Sequence, residues 1–150
     1  MNVLIIEDDQ FKFKQLSSFV KEAFPLCTIL SARSVHSGKI EIRARSFDIV
    51  LLDMSLPSYD IGGEEPGGRP QAFGGRELLG YMDFLELATP VIVVTQFERF
   101  DTGDDEIEIE TLGETLKESY PGNFRGIIYY NAASEQWKHM LIDAMISVGG

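Results

Sequence analysis

Cysteine is almost missing from this chain. Cys27 on its own closes no internal disulfide and leaves no Cys pair for a structural zinc site. Histidine is as scarce: His36 and His139 lie far apart, and neither sits in a metal-binding motif. Positive charge is short as well, with 13 Lys and Arg against 24 Asp and Glu, a formal net charge of −11. An anionic excess repels phosphate backbones, which argues against direct nucleic-acid binding. Long apolar runs are also lacking. Ile49 to Leu52 and Val91 to Val94 are far too short to span a bilayer. The apolar start, Val3 to Ile6, has no basic region before it of the kind a secretory signal carries. The expectation is a cytoplasmic protein with no membrane role. What is present is ordinary: 150 residues, 44% hydrophobic and 25% charged, the size and composition of one globular domain.

Val3 to Ile6 is a short β-branched run that stops at Glu7-Asp8-Asp9 and reads as a buried strand. Phe13, Leu16, Val20 and Ala23 follow at helical spacing, with Lys12, Lys14, Lys21 and Glu22 largely between them, and Pro25 ends that helix. Thr28 to Leu30 is a weaker strand and Val35 to Ala44 a short helix. Phe47 to Leu52 is a strong strand ending at Asp53, and Arg76 to Ala88 is helical. Val91 to Val94 is a strand ending at Thr95-Gln96. Ile107 to Tyr120 is a helix, Gly126 to Tyr130 the last strand, and Ser134 the N-cap of a final helix carrying Trp137 and Leu141. Strands therefore alternate with helices. The strands are continuous apolar runs, so both faces of a parallel sheet should be covered by helices, an α/β fold. Cys27 and Trp137 read as core residues.

Two stretches break the rhythm within a single domain of about residues 1–148. Residues 58–75 are rich in glycine and read as an inserted loop. Residues 96–110 are rich in Asp and Glu and read as an acidic loop. Phe97 and Phe100 stand out there as anchors for a protein partner. Gly63 to Gly68 has the spacing of a phosphate-binding loop, but Arg69-Pro70 stands where Lys-Ser/Thr is required.

In an open parallel sheet, ligands bind beyond the carboxyl ends of the strands, at the point where strand order reverses. Glu7-Asp8-Asp9, Asp53 and Thr95 all stand at such ends. Gathered carboxylates repel one another unless a cation or protons intervene. With oxygen ligands alone, Mg²⁺ is the natural cation. A carboxylate beside Mg²⁺ can attack phosphorus to give an acyl phosphate, and a hydroxyl such as that of Thr95 can hydrogen-bond the phosphoryl group. Asp9 has a second reading, as the cap of the first helix.

Val3-Leu4-Ile5-Ile6-Glu7-Asp8-Asp9, Asp48 to Pro57 with Asp53-Met54-Ser55-Leu56-Pro57, and Pro90 to Thr95 resemble the receiver domain of two-component response regulators over nearly the whole chain. The resemblance implies a flavodoxin-like, doubly wound five-stranded parallel sheet of order 2-1-3-4-5. It implies Asp53 as phosphoacceptor from a histidine kinase or phosphotransfer protein. It also implies Glu7, Asp8, Asp53 and the Ser55 carbonyl as Mg²⁺ ligands, and Thr95 as the hydroxyl that senses the phosphoryl group. The domain would then be no enzyme beyond its own phosphorylation.

The sequence departs from the family at the far end of the site. The family carries a Lys, usually followed by Pro, at the end of strand five, where this chain reads Ile127-Ile128-Tyr129-Tyr130-Asn131-Ala132. The switch aromatic expected near Ile127 is missing, and Gln96 replaces a small residue after Thr95. Arg69 and Arg76 are the candidates to replace the lost cation. Only Gly149 and Gly150 follow the last helix, so output is expected either through contact with a downstream protein, by way of residues 96–110, or through a domain outside this sequence. The alternative is a pseudo-receiver, an interaction module that works without phosphorylation. A metal-dependent phosphohydrolase is the weaker enzyme reading, because Asp53-Met54-Ser55 lacks the second Asp of the haloacid-dehalogenase type.

Overall fold

A computed structural model of the chain describes residues 1–59, 70–71, 74–96, 99–101 and 106–148. Five strands build the central sheet: β1 (Asn2–Ile6), β2 (Thr28–Ala32), β3 (Ile49–Leu52), β6 (Val91–Thr95) and β9 (Phe124–Tyr129), of which the three central ones, β1, β3 and β6, are buried on both faces, while β2 and β9 at the edges keep exposed residues. They lie in the order β2-β1-β3-β6-β9, and every pairing is parallel. This is the expected 2-1-3-4-5 arrangement. Alternate strand residues face opposite sides. Leu4, Ile6, Val50, Leu52, Val91 and Val93 meet Leu78, Leu79 and Met82 of α3 (Gly74–Phe84) and Leu112 and Leu116 of α4 (Ile109–Ser119), with α2 (Val35–Ala44) beside them. Val3, Ile5, Leu51, Ile92 and Val94 meet Leu16 and Val20 of α1 (Gln10–Ala23) and Trp137, Leu141 and Met145 of α5 (Gln136–Ser147). Trp137 packs edge-on to Phe19 and against Tyr130, and Cys27 is buried in the same core.

Several element ends differ from the sequence reading, each for a local reason. Helix α3 begins at Gly74 and stops at Phe84, four residues before Ala88. Glu86 adopts a left-handed φ of 58°, the Leu87 N–H donates to Met82 O, and the Glu86 N–H donates to Asp83 O. That pair of bonds is a Schellman stop, which tertiary packing imposes on a non-glycine residue. Helix α5 starts at Gln136 with Glu135 at its N-cap, so Ser134 is not the cap. Its hydroxyl still accepts from the Gln136 N–H at 3.1 Å. Helix α2 tolerates Gly38 because Ser34 and Ser37 form a reciprocal capping box.

The two irregular stretches contain structure at their margins. β4 (Leu56–Pro57) pairs antiparallel with β5 (Pro70–Gln71), closing the glycine-rich stretch at its base. Residues 60–69 and 72–73 lie outside the described residues. In the acidic stretch, β7 (Arg99–Asp101) pairs antiparallel with β8 (Glu106–Glu108), and α4 follows directly. The stretch is therefore not simply a loop up to residue 110. Phe97 lies outside the described residues, as does the side chain of Phe100.

Gly75 is required by close approach. A Cβ there would stand 2.5 Å from the Asp53 carbonyl oxygen and 3.0 Å from Met54 Cα, and the Gly75 N–H donates to Met54 O at 2.9 Å. The first turn of α3 thus rests on the backbone that carries Asp53. Gly75→Ala is expected to cost about 1–3 kcal/mol by overpacking, seen as a lower Tm. An unchanged Tm would rule out that contact.

Candidate functional site

The site forms where β1, β3 and β6 end side by side. Ile6 is in register with Leu52, and Leu52 with Val93, so Glu7, Asp53 and Val94 follow at one level. The ladder is extended by the Asp53 N–H donating to Ile6 O and the Glu7 N–H donating to Ala32 O, both at 3.0 Å. The Glu7-Asp8-Asp9 turn is fixed by its own side chains. The Asp9 N–H donates to Glu7 Oε2 at 3.0 Å, while Asp9 Oδ1 accepts from the Phe11 and Lys12 N–H groups. Asp9 is therefore the N-cap of α1, and the acidic cluster consists of Glu7, Asp8 and Asp53. One carboxylate oxygen from each lies within 4.8 Å of the others. Glu7 and Asp53 are buried, and Asp8 is half-buried.

The cation in this cluster is Lys12. Its side chain is 1% exposed, and Nζ lies 2.6 Å from Glu7 Oε1 and 3.2 Å from Asp53 Oδ1. The ammonium also donates to Val94 O at 2.7 Å. Three polar partners, one at the end of each central strand, match its three N–H donors. Glu7 Oε1 and Asp53 Oδ1 find no hydrogen-bond partner apart from that ammonium. The Tyr130 ring lies 5.7 Å from Nζ, and Tyr130 Oη is buried without a hydrogen bond.

The sequence reading placed Lys12 among the polar residues of α1, and the structure reverses this. The buried stripe of the helix is Lys12, Leu16 and Val20, an i, i+4, i+8 series. Phe13 is only half-buried. The spacing to Leu16 and Val20 was the available signal. Of the two arginine candidates, Arg76 makes no ion pair among the described residues, and Arg69 lies outside the described residues.

Burial dominates the electrostatics. It raises the Glu7 pKa from 4.5 to about 8, helped by the charge of Asp53 and opposed by Lys12. Burial also raises the Asp53 pKa, with Lys12 again opposing and Asp8 adding to the rise. Two acids whose charged forms are disfavoured this strongly make a site that gains from a further cation.

The remaining candidates occupy the same end of the sheet. Thr95 is fully buried at the end of β6, paired with Tyr129, and its carbonyl accepts from the Tyr130 N–H at 2.7 Å. Ser55 is half-buried between β3 and β4, and its backbone N–H hydrogen-bonds the Asp53 carboxylate. An open cleft of about 340 Å³ reaches Lys12 from outside, between Asp9 and Phe11 on one side and Gln96, Tyr129 and Tyr130 on the other. No helix among the described residues is long and apolar enough to cross a membrane.

No protein-family model matches the chain. It is 32% identical over 146 residues to the Detocs response regulatory protein DtcB of Enterobacter cloacae, an alignment covering 95% of this chain and 96% of that protein. It is 29% identical over 150 residues to the uncharacterized protein y4jR of Sinorhizobium fredii, covering 99% of each. Among solved structures, a CheY-like response regulator receiver domain from Methanospirillum hungatei superposes with a TM-score of 0.62 at 17% identity, covering 98% of this chain and 92% of that one. The parallel sheet of order 2-1-3-4-5, the carboxylates at its strand ends and the likeness to DtcB agree: the chain belongs to the response regulators and is a receiver domain of two-component signalling.

Proposed function

We propose that this receiver, taken as one unit over residues 1–148, accepts a phosphoryl group on Asp53 and thereby changes its contacts with a downstream protein. The observation that carries this reading is the buried Asp53 carboxylate, backed by Glu7 and Asp8 at one end of the sheet. Oxygens sharing one Mg²⁺ shell lie roughly 3–4 Å apart, given Mg–O distances of about 2.0–2.1 Å. Three carboxylate oxygens within 4.8 Å therefore fit that ion after a small contraction, or with one oxygen bound through water. Glu7, Asp8, Asp53 and the Ser55 carbonyl would hold it. Bound there, the ion would shield the charge of the incoming phosphoryl oxygens.

The donor is a phosphoimidazole of a histidine kinase or phosphotransfer protein, or a small acyl phosphate. An Asp53 oxygen attacks phosphorus, and a new O–P bond forms as the bond to the donor breaks. The leaving group keeps the electron pair. Asp53 is held for this by the Ser55 N–H and by the β3 backbone resting on Gly75. Thr95 stands one residue beyond the level of Asp53 on the neighbouring strand, where its hydroxyl would bond a phosphoryl oxygen. Residues 96–110, next along the chain, would carry the change to a partner through Phe97 and Phe100.

The test is intact-mass analysis after incubation with Mg²⁺ and acetyl phosphate or a histidine kinase. Wild type should gain one phosphoryl group, Asp53→Asn none, and Asp8→Asn should need far more Mg²⁺. Labelling that persists in Asp53→Asn would move the acceptor elsewhere. The pseudo-receiver reading has one observation of its own in favour. Lys12 already gives the carboxylates a counter-charge inside the protein. A wild type that takes no label from either donor would establish it.

A further inference from the structure

We infer that Lys12, reaching the site from helix α1, is the cation that assists phosphoryl transfer to Asp53 and binds the phosphoryl group once formed. The inference rests on the phosphoacceptor reading and assigns the role left open at the end of β9, where Tyr129, Tyr130 and Asn131 supply no cation.

Nζ is 3.2 Å from Asp53 Oδ1, so it touches the reacting group itself. An ammonium at that distance can bond an oxygen of a phosphoryl group built on the same carboxylate with a short swing of a flexible stem. Its other two contacts restrict the swing. Glu7 Oε1 and Val94 O hold Nζ between the ends of β1 and β6, the second contact one residue before Thr95. The ammonium is therefore already desolvated and placed, the condition under which a fixed charge contributes most to a transition state. The transfer itself moves no proton from Lys12. One O–P bond forms at Asp53, the P–N bond of a phosphoimidazole or the P–O bond of an acyl phosphate breaks, and the departing group carries its electron pair. The cleft beside Phe11 and Tyr130 exposes this side of the site to a donor.

A lysine that served only as counter-charge would be dispensable once Mg²⁺ saturates the carboxylates. A lysine that contacts the phosphoryl oxygens would not be. Labelling rates with acetyl phosphate at saturating Mg²⁺ separate the two. Lys12→Met should label Asp53 on the order of 100-fold more slowly than wild type. Lys12→Met combined with Tyr130→Lys, which returns an ammonium from the β9 side, should recover part of the rate. A Lys12→Met rate within about threefold of wild type, measured beside a labelled wild type, overturns the inference and leaves the phosphoacceptor reading standing. A wild type that never labels overturns both.

A second measurement uses only the unaltered protein and so does not depend on how the variants fold. Beryllofluoride with Mg²⁺ should shift the Lys12 ¹⁵Nζ NMR signal and slow exchange of its ammonium protons. A signal unmoved by beryllofluoride, while the Asp53 and Thr95 amides shift, overturns the inference.

Discussion

Lys12→Met should lower the unfolding free energy of the metal-free protein at pH 8 by about 3–5 kcal/mol, the usual result of removing one partner from a buried ion cluster. Methionine fills nearly the same volume, so the loss would be electrostatic. Glu7 and Asp53 would be left facing each other in a buried setting, and Val94 O would lose its donor. The Lys12 side chain is 1% exposed, so solvent screens little of this. Small domains hold roughly 5–15 kcal/mol in reserve, so the variant should still fold. Urea unfolding checks the prediction: the midpoint should fall while the m-value stays constant. A loss under about 1 kcal/mol would mean that the carboxylates give up their charge on losing Lys12, with no role for the ion cluster in holding the strand ends together.

The metal-free protein should also become more stable as pH falls from 9 to 6. Glu7 titrates near 4.5 when unfolded and about 8 when folded, and Asp53 shifts in the same direction. Between those values the native state holds protons that the unfolded chain has released, so lowering pH favours the native state. The stabilisation is complete below about 4.5 and lost as pH rises through about 8. It should amount to a few kcal/mol between pH 6 and pH 9, since each pKa unit is worth about 1.4 kcal/mol and the two acids titrate as a pair. Mg²⁺ should reverse the trend. Its ligands must be ionised, so it should stabilise the protein more at pH 9 than at pH 6. Urea titrations at four pH values, with chelator and with Mg²⁺, give both slopes. A flat profile with chelator would place Glu7 in contact with water.

The carboxylates of the site were legible in the sequence because the Glu7-Asp8 pair and Asp53 each follow directly on a run of β-branched and aliphatic residues. A strand that ends in a charge announces where its carboxyl end lies, and a parallel sheet gathers those ends along one edge. Asp9 shows the limit of that argument. It stands at the same edge as Glu7 and Asp8, yet its carboxylate is spent on the Phe11 and Lys12 N–H groups of α1. Pairing within residues 96–110 was hidden for another reason. Strands three residues long are formed by their partners, and the single polar–apolar–polar alternation of Arg99–Asp101 and of Glu106–Glu108 is too short to specify a strand on its own.

By itself the sequence determined the number of sheet strands, the burial of the sheet on both faces, the family resemblance and the placing of Glu7, Asp8, Asp53 and Thr95 at the carboxyl ends of the strands. These follow from local composition: apolar runs long enough for strands, and chemistry placed at their ends. The identity of the buried cation was decided only by the tertiary structure. Lys12, Lys14 and Lys21 look alike in a helix whose apolar residues allow more than one phase. Choosing Leu16 and Val20 as the inward stripe turns Lys12 inward with them. Its charge is tolerated there because Glu7, Asp53 and Val94 are more than 40 residues apart in the chain on either side of Asp53 yet adjacent across the sheet, and together they satisfy one ammonium.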